Sequence, residues 1–132
     1  MFLDASAIVA ILAREDEADA LSAKLIKAPS RLTSAPVVWE AVVSLARKRQ
    51  GMSVSEAREM VQAFLNRTPV ELIPIGTKAR DVALDAFERF GKGRHPARLN
   101  MGDCFAYACA KTNGVPLLFK GDDFVLTDIP AA

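Results

Sequence analysis

The chain has 132 residues, of which 51% are hydrophobic, with 17 Lys and Arg against 16 Asp and Glu. That is the length of one domain, 1–132, with enough apolar residues for a core of its own, and it excludes intrinsic disorder. A net charge of +1 gives no global pull toward a polyanion or an anionic membrane, so any such pull must come from charge placement. No run approaches the ~18 apolar residues of a membrane-spanning helix. The opening Met1-Phe2-Leu3-Asp4 lacks the basic start of a secretory signal, so the expected location is cytoplasmic. Cys104 and Cys109 fall on different faces of one predicted helix. They are expected to be thiols, and there is no zinc-type Cys/His cluster.

Phe2-Leu3 reads as a very short strand ending at Asp4. Ala5–Ala13 is small and aliphatic, a buried helix capped by Asp4 or Ser6. Ala18, Leu21, Leu25 and Ile26 recur at helical spacing, which predicts a helix over 15–27 that Pro29-Ser30 breaks. Arg31–Ser34 is a short strand, and Ser34 caps a helix with Pro36 in its first turn. That helix carries Val37, Val38, Val42, Val43 and Leu45. It ends on Arg47-Lys48-Arg49, basic residues suited to a helix C-terminus. Ser53-Val54-Ser55-Glu56 has the form of a capping box for a helix over 53–66. Val70–Ile73 is a strand, and Thr77–Phe90 an amphipathic helix. The segment 92–100 is a polar loop. A helix over 102–113 is stopped by Gly114. Pro116–Phe119 is a strand, and Leu126–Ile129 is expected to add a short edge strand. Helix and strand alternate with connections too long for hairpins, which predicts an α/β sandwich around a mostly parallel sheet flanked by helices.

In such a sheet, ligands bind beyond the carboxyl ends of the strands. Asp4 ends the first strand, and Asp122 and Asp123 follow the last. Asp103 lies in the first turn of the helix before it. Glu40 interrupts the apolar stretch Val-Val-Trp-Glu-Ala-Val-Val. Each has a structural alternative: a cap for Asp4, a helix-dipole partner for Asp103, turn residues for Asp122 and Asp123, an arginine partner for Glu40. Together they favour one chemistry. Carboxylates sharing a cleft repel one another and stay ionised only around a cation. All-oxygen ligation selects a hard ion, Mg²⁺ or Mn²⁺, which activates water and offsets charge on a phosphate. No glycine-rich phosphate loop competes. The basic run Arg89, Lys92, Arg94, His95 and Arg98 precedes Asp103. It suits the phosphates of a substrate, or it is a solvated loop whose arginines pair with acids. Trp39 and Tyr107 are expected in the core.

These residues resemble the PIN-domain ribonucleases, and within them the VapC-type toxins of type II toxin–antitoxin pairs. Met1–Ala7 is similar to the family's opening strand with its terminal Asp. Trp39-Glu40 is similar to its central glutamate helix. Gly91–Tyr107 is similar to the loop leading to the third acid, and Leu117–Phe124 with Thr127-Asp128 to the closing motif. The resemblance implies a PIN-like three-layer sandwich and a Mg²⁺- or Mn²⁺-dependent endoribonuclease, which acts on RNA and is inhibited by a cognate VapB-type antitoxin. It implies a homodimer. Residue by residue, it implies catalytic and metal roles for Asp4, Glu40 and Asp103, a fourth acid at Asp122 or Asp123 and a supporting role for Ser6. Lys92, Arg94 and Arg98 are the expected substrate contacts. The competing reading is a non-catalytic PIN-like module that holds RNA or a protein. An acid-cluster phosphatase or receiver-like domain fits poorly, because Asp4-Ala5-Ser6 lacks a second Asp and Val70–Ile73 ends without one.

Overall fold

The structure, a computed structural model, describes residues 1–132. Four two-residue strands, β1 (Phe2–Leu3), β2 (Leu32–Thr33), β3 (Glu71–Leu72) and β4 (Leu117–Leu118), form a sheet in the order β3-β2-β1-β4. Every pairing is parallel, with Phe2 opposite both Leu32 and Leu117, and Leu32 opposite Glu71. Six helices connect them: α1 (Ala5–Ala13), α2 (Ala18–Lys27), α3 (Ala35–Lys48), α4 (Val54–Arg67), α5 (Thr77–Phe90) and α6 (Met101–Thr112).

The order of the strands dictates the layers. The chain steps from β1 to β2 to β3 in one direction, then returns past them to β4. Right-handed crossovers therefore put α1–α4 on one face and α5–α6 on the other. The packing agrees: α1 lies against α2, α3 and α4, whereas α5 packs along α6, and α6 lies on β1 and β4. The direction of winding reverses between β1 and β4, and that switch point opens a crevice at their carboxyl ends. Phe2, Leu3, Leu117 and Leu118 are sealed in the core there. α6 is buried along most of its length between β1, β4 and α5, which is why Cys104 and Cys109 are both buried thiols. Burial pushes both up to about 11, so they are inert near neutral pH.

Two predicted elements differ. α2 starts at Ala18, not Glu15. Arg14 ends α1 in the left-handed conformation, and the N–H of Glu15 turns back to Ala10 O at 3.0 Å. Residues 15–17 are thus a turn, and Glu15 is free to pair with Lys48 and Lys120. The final edge strand is not at Leu126–Ile129, where the chain makes turns. The sheet edge is reached later: Leu117 donates to Pro130 O at 2.8 Å and accepts from Ala132 N at 2.9 Å. The reason is Asp128. Its carboxylate takes the Tyr107 hydroxyl at 2.5 Å and Lys111 and Arg89 at 3.0 and 3.1 Å, which holds 127–129 off the sheet against α6. No helix is long and apolar enough to cross a membrane.

Candidate active site

Asp4 stands where β1 becomes α1. As the N-cap, its Oδ2 accepts from Ser6 N at 2.9 Å and from Ser6 Oγ at 2.5 Å. Ser6 Oγ in turn accepts from Lys120 N at 3.0 Å. One hydroxyl therefore ties the end of β1 to the exit of β4 across the switch point. Asp4 thus follows its structural reading as a helix cap, and it is 5% exposed at the crevice.

Asp103 is the third residue of α6. Its Oδ2 accepts from Asn100 N at 2.8 Å while Asn100 Oδ1 accepts from Asp103 N at 3.1 Å, a reciprocal cap. Asn100 was not among the expected residues. The Asn-x-x-Asp spacing before an apolar helix is the signal that finds it. Because α6 runs back along the sheet, this capped end lies beside the carboxyl ends of β1 and β4. Glu40 arrives from the second turn of α3 and is half-buried. A Cβ on Gly102 would stand 2.6 Å from Glu40 Oε2, so the lack of a side chain there admits the carboxylate against the start of α6.

After β4, Gly121 adopts φ 95°, a turn conformation that an L residue enters only with strain. The acids come after that turn, at Asp122 and Asp123, both exposed. They are not equivalent. The charge of Asp123 raises Asp4 and Asp103. Asp122 accepts from Val125 N through its carbonyl, a turn role.

Burial pushes Asp103 up to about 7, with the charges of Asp4, Asp123 and Glu40 adding to it. Burial likewise raises Asp4, against the opposing hydrogen bonds of Ser6. Burial and then the charge of Asp4 raise Glu40. The acids of β1, α3, α6 and the loop after β4 thus share one electrostatic neighbourhood. None of the four forms an ion pair, and the arginine alternative for Glu40 is not realised. The carboxylates do not close on a common point: no three His, Cys, Asp or Glu side chains stand close enough to form a ready ligand set. Convergence is therefore looser than the sequence reading expects. The donor set fits a dication in kind, being hard carboxylate oxygens that repel one another.

The loop 91–100 folds on itself. Gly91 bridges to Leu99, and His95 Nδ1 accepts from Ala97 N while its ring edge meets Phe90. Lys92, Arg94 and Arg98 are exposed and pair with no acid, and Arg94 leans over the Phe87 ring. Of the basic residues, Arg89 pairs with an acid, Asp128, and Lys92, Arg94 and Arg98 are solvated. Tyr107 is buried as expected. Trp39 is not: it is 68% exposed and lines a cleft beside Glu40.

The parallel sheet thus carries acids without cationic partners near its switch point, and both sequence and fold are those of a known family. The PIN domain family profile matches residues 1–130. The chain is 42% identical to a VapC ribonuclease of Rhizobium meliloti, covering 97% of this chain and 98% of that one. It is 40% identical to Ribonuclease VapC of Mycolicibacterium smegmatis, covering 99% and 98%. The fold superposes on a crystal structure of Mycobacterium tuberculosis VapC20, described as a Sarcin-Ricin loop cleaving toxin. The TM-score is 0.76 at 22% identity, covering 99% of this chain and 97% of that one. This chain belongs to the PIN-domain family, among the VapC-type ribonuclease toxins.

Proposed function

We propose that the chain is a divalent-metal-dependent endoribonuclease, the toxin of a pair completed by a VapB-type antitoxin, and that it works in the cytoplasm as a homodimer. One observation carries this reading. Asp4, Glu40 and Asp103 lie at the carboxyl end of the sheet with no cationic partner, with Asp123 exposed in the loop after β4, and burial together with the neighbouring acids raises Asp4, Glu40 and Asp103. Mg²⁺ or Mn²⁺ bound by these four would supply Lewis-acid activation of water and offset charge building on the scissile phosphate.

The chain's own residues do the rest. Ser6 holds Asp4 by its hydroxyl and keeps an anion-favouring contact on a buried carboxylate. Asn100 fixes the rotamer of Asp103 from the backbone. Gly102 leaves room for Glu40. Lys92, Arg94 and Arg98, free of acid partners, hold phosphates that flank the site, where the acids alone would repel the strand. A VapB-type antitoxin inhibits by covering this crevice.

The test is direct. The antitoxin-free protein is incubated with total RNA in EDTA, Mg²⁺ or Mn²⁺, and the ends are mapped. Cleavage is expected with either ion, and none in EDTA or with Asp4→Asn or Asp103→Asn. RNA left intact with both ions would favour the non-catalytic binding module instead.

A further inference from the structure

Two side chains at the cleft beside Glu40 are left unused by core packing. Trp39, the single tryptophan of the chain, is 68% exposed, and Met101 in the first turn of α6 is 74% exposed. Both line one cleft of about 340 Å³ whose wall also includes Glu40, Arg47, Asn100 and Gly102. The helical period explains why Trp39 points out. Val37, Ala41 and Leu45 face the core, and a residue two places beyond Val37 lies on the opposite side of α3. Arg47 is two turns further along the same helix, roughly 12 Å by helical rise, exposed and without an acid partner.

We propose that Trp39 stacks an unpaired nucleobase of the RNA strand next to the phosphate held at the acids, with Met101 against the base and Arg47 on a phosphate further along. This rests on the nuclease reading above. The argument is electrostatic. A cation placed beside Glu40 would pair with it, so a strand has to be gripped there by something uncharged. An indole face binds any base without a positive charge. The cleft offers that face at its acidic end, and Arg47, which forms no ion pair with any acid, lines the same cleft two turns further along α3. Trp39 is thus a positioning residue for substrate, and the larger face of a purine gives it a preference for purines at one place beside the cut.

Trp39 is its own reporter. The antitoxin-free chain carrying Asp103→Asn, with Mg²⁺, is titrated with a single-stranded RNA of ten nucleotides and with versions of it carrying one abasic nucleotide at successive positions. Indole emission is expected to be quenched as the RNA binds. Affinity is read in parallel from the anisotropy of a fluorescent label at the RNA end, since Trp39→Ala removes the indole, and adding Trp39→Ala should weaken binding about tenfold, in line with one stacked base. One abasic position should cost about the same with Trp39 present and nothing with Trp39→Ala. The proposal is overturned by unquenched emission with binding that Trp39→Ala leaves within twofold. It is overturned equally by a Trp39→Ala loss that persists unchanged at every abasic position, which marks a structural role, or by quenching that only a protein partner produces. Cleavage by the unsubstituted chain is scored separately. Quenching and abasic discrimination without cleavage would sink the nuclease reading and keep the stacking, whereas cleavage unaffected by Trp39→Ala would do the reverse.

Discussion

Asp103→Asn separates the cost of the acid cluster from its use. The Asn oxygen can still accept from Asn100 N, so the cap at the start of α6 survives while the charge is removed. In the folded chain burial and three neighbouring acids push Asp103 from 3.8 to about 7. The folded state therefore holds a proton that the unfolded state releases between those values. Stability falls as pH rises through that window and levels off above about 7. The full gap corresponds to ~4 kcal/mol at 1.36 kcal/mol per tenfold, and side-chain rotation with water entry recovers about half, leaving ~2 kcal/mol. For a chain of this length that is roughly 7 °C in Tm. Metal-free Asp103→Asn should thus melt about 7 °C above the unsubstituted chain at pH 8, with the difference shrinking to little at pH 4. Comparison at each pH cancels the ion pairs of Asp128 and Glu15, which weaken in acid in both proteins. Mg²⁺ in the millimolar range should raise the Tm of the unsubstituted chain at pH 8 and that of the variant by less. A variant less stable at pH 8, or a difference that does not change with pH, would refute the claim that repulsion at this cleft costs folding energy.

Three further substitutions probe the supports. Gly102→Ala places a Cβ 2.6 Å from Glu40 Oε2 at a helical position, so ribonuclease activity should fall at least tenfold while Tm holds or rises, measured on one preparation. Ser6→Ala removes the Oγ donor that favours charged Asp4 and the acceptor of Lys120 N. The acid limb of the pH–rate profile should move to higher pH, with ~1–2 kcal/mol lost in denaturant unfolding. Tyr107→Phe deletes the hydroxyl shared by Asp128 and Lys111, one turn of α6 from Asp103 but bonded to none of Asp4, Glu40, Asp103 or Asp123. It should cost ~1–2 kcal/mol in unfolding and leave kcat unchanged.

The order of elements was legible because each boundary is a local chemical event. Ser53 and Glu56 cap each other as their spacing predicts, Gly114 at φ 64° follows the end of α6, and Pro29-Ser30 separates α2 from β2. The positions of the acids were legible because a strand end and a helix start are readable, but how near one another they stand depends on tertiary packing, and no three of them close into a ligand set. Tertiary pairings were not legible. Nothing local says that Tyr107, Lys111 and Arg89 meet at Asp128 and hold 127–129 off the sheet, or that Glu15 leaves its helix for Lys48 and Lys120. Which of Asp122 and Asp123 stands nearer the other acids also depends on three dimensions, on which way the chain leaves the turn at Gly121. Trp39, expected in the core, is exposed. The period that buries Val37, Ala41 and Leu45 already sets it outward, but its size argued for the core.

The chain treats its acids in two ways, and the contrast is the strongest physical argument for a cation. Glu15 is held by Lys48 and Lys120, and Asp128 by Lys111, Arg89 and Tyr107, with both carboxyls kept below their usual range. These are acids that stabilise the fold. Asp4 and Asp103 are more buried than either, yet they are raised and have no cationic partner, although Lys92, Arg94 and Arg98 lie unpaired on the loop that leads into Asp103. A fold selected for stability alone would join one to the other. Keeping them apart preserves negative charge in the crevice and positive charge beside it. That separation is what a site needs if a dication is to enter among the acids while the phosphates of an RNA strand are held alongside.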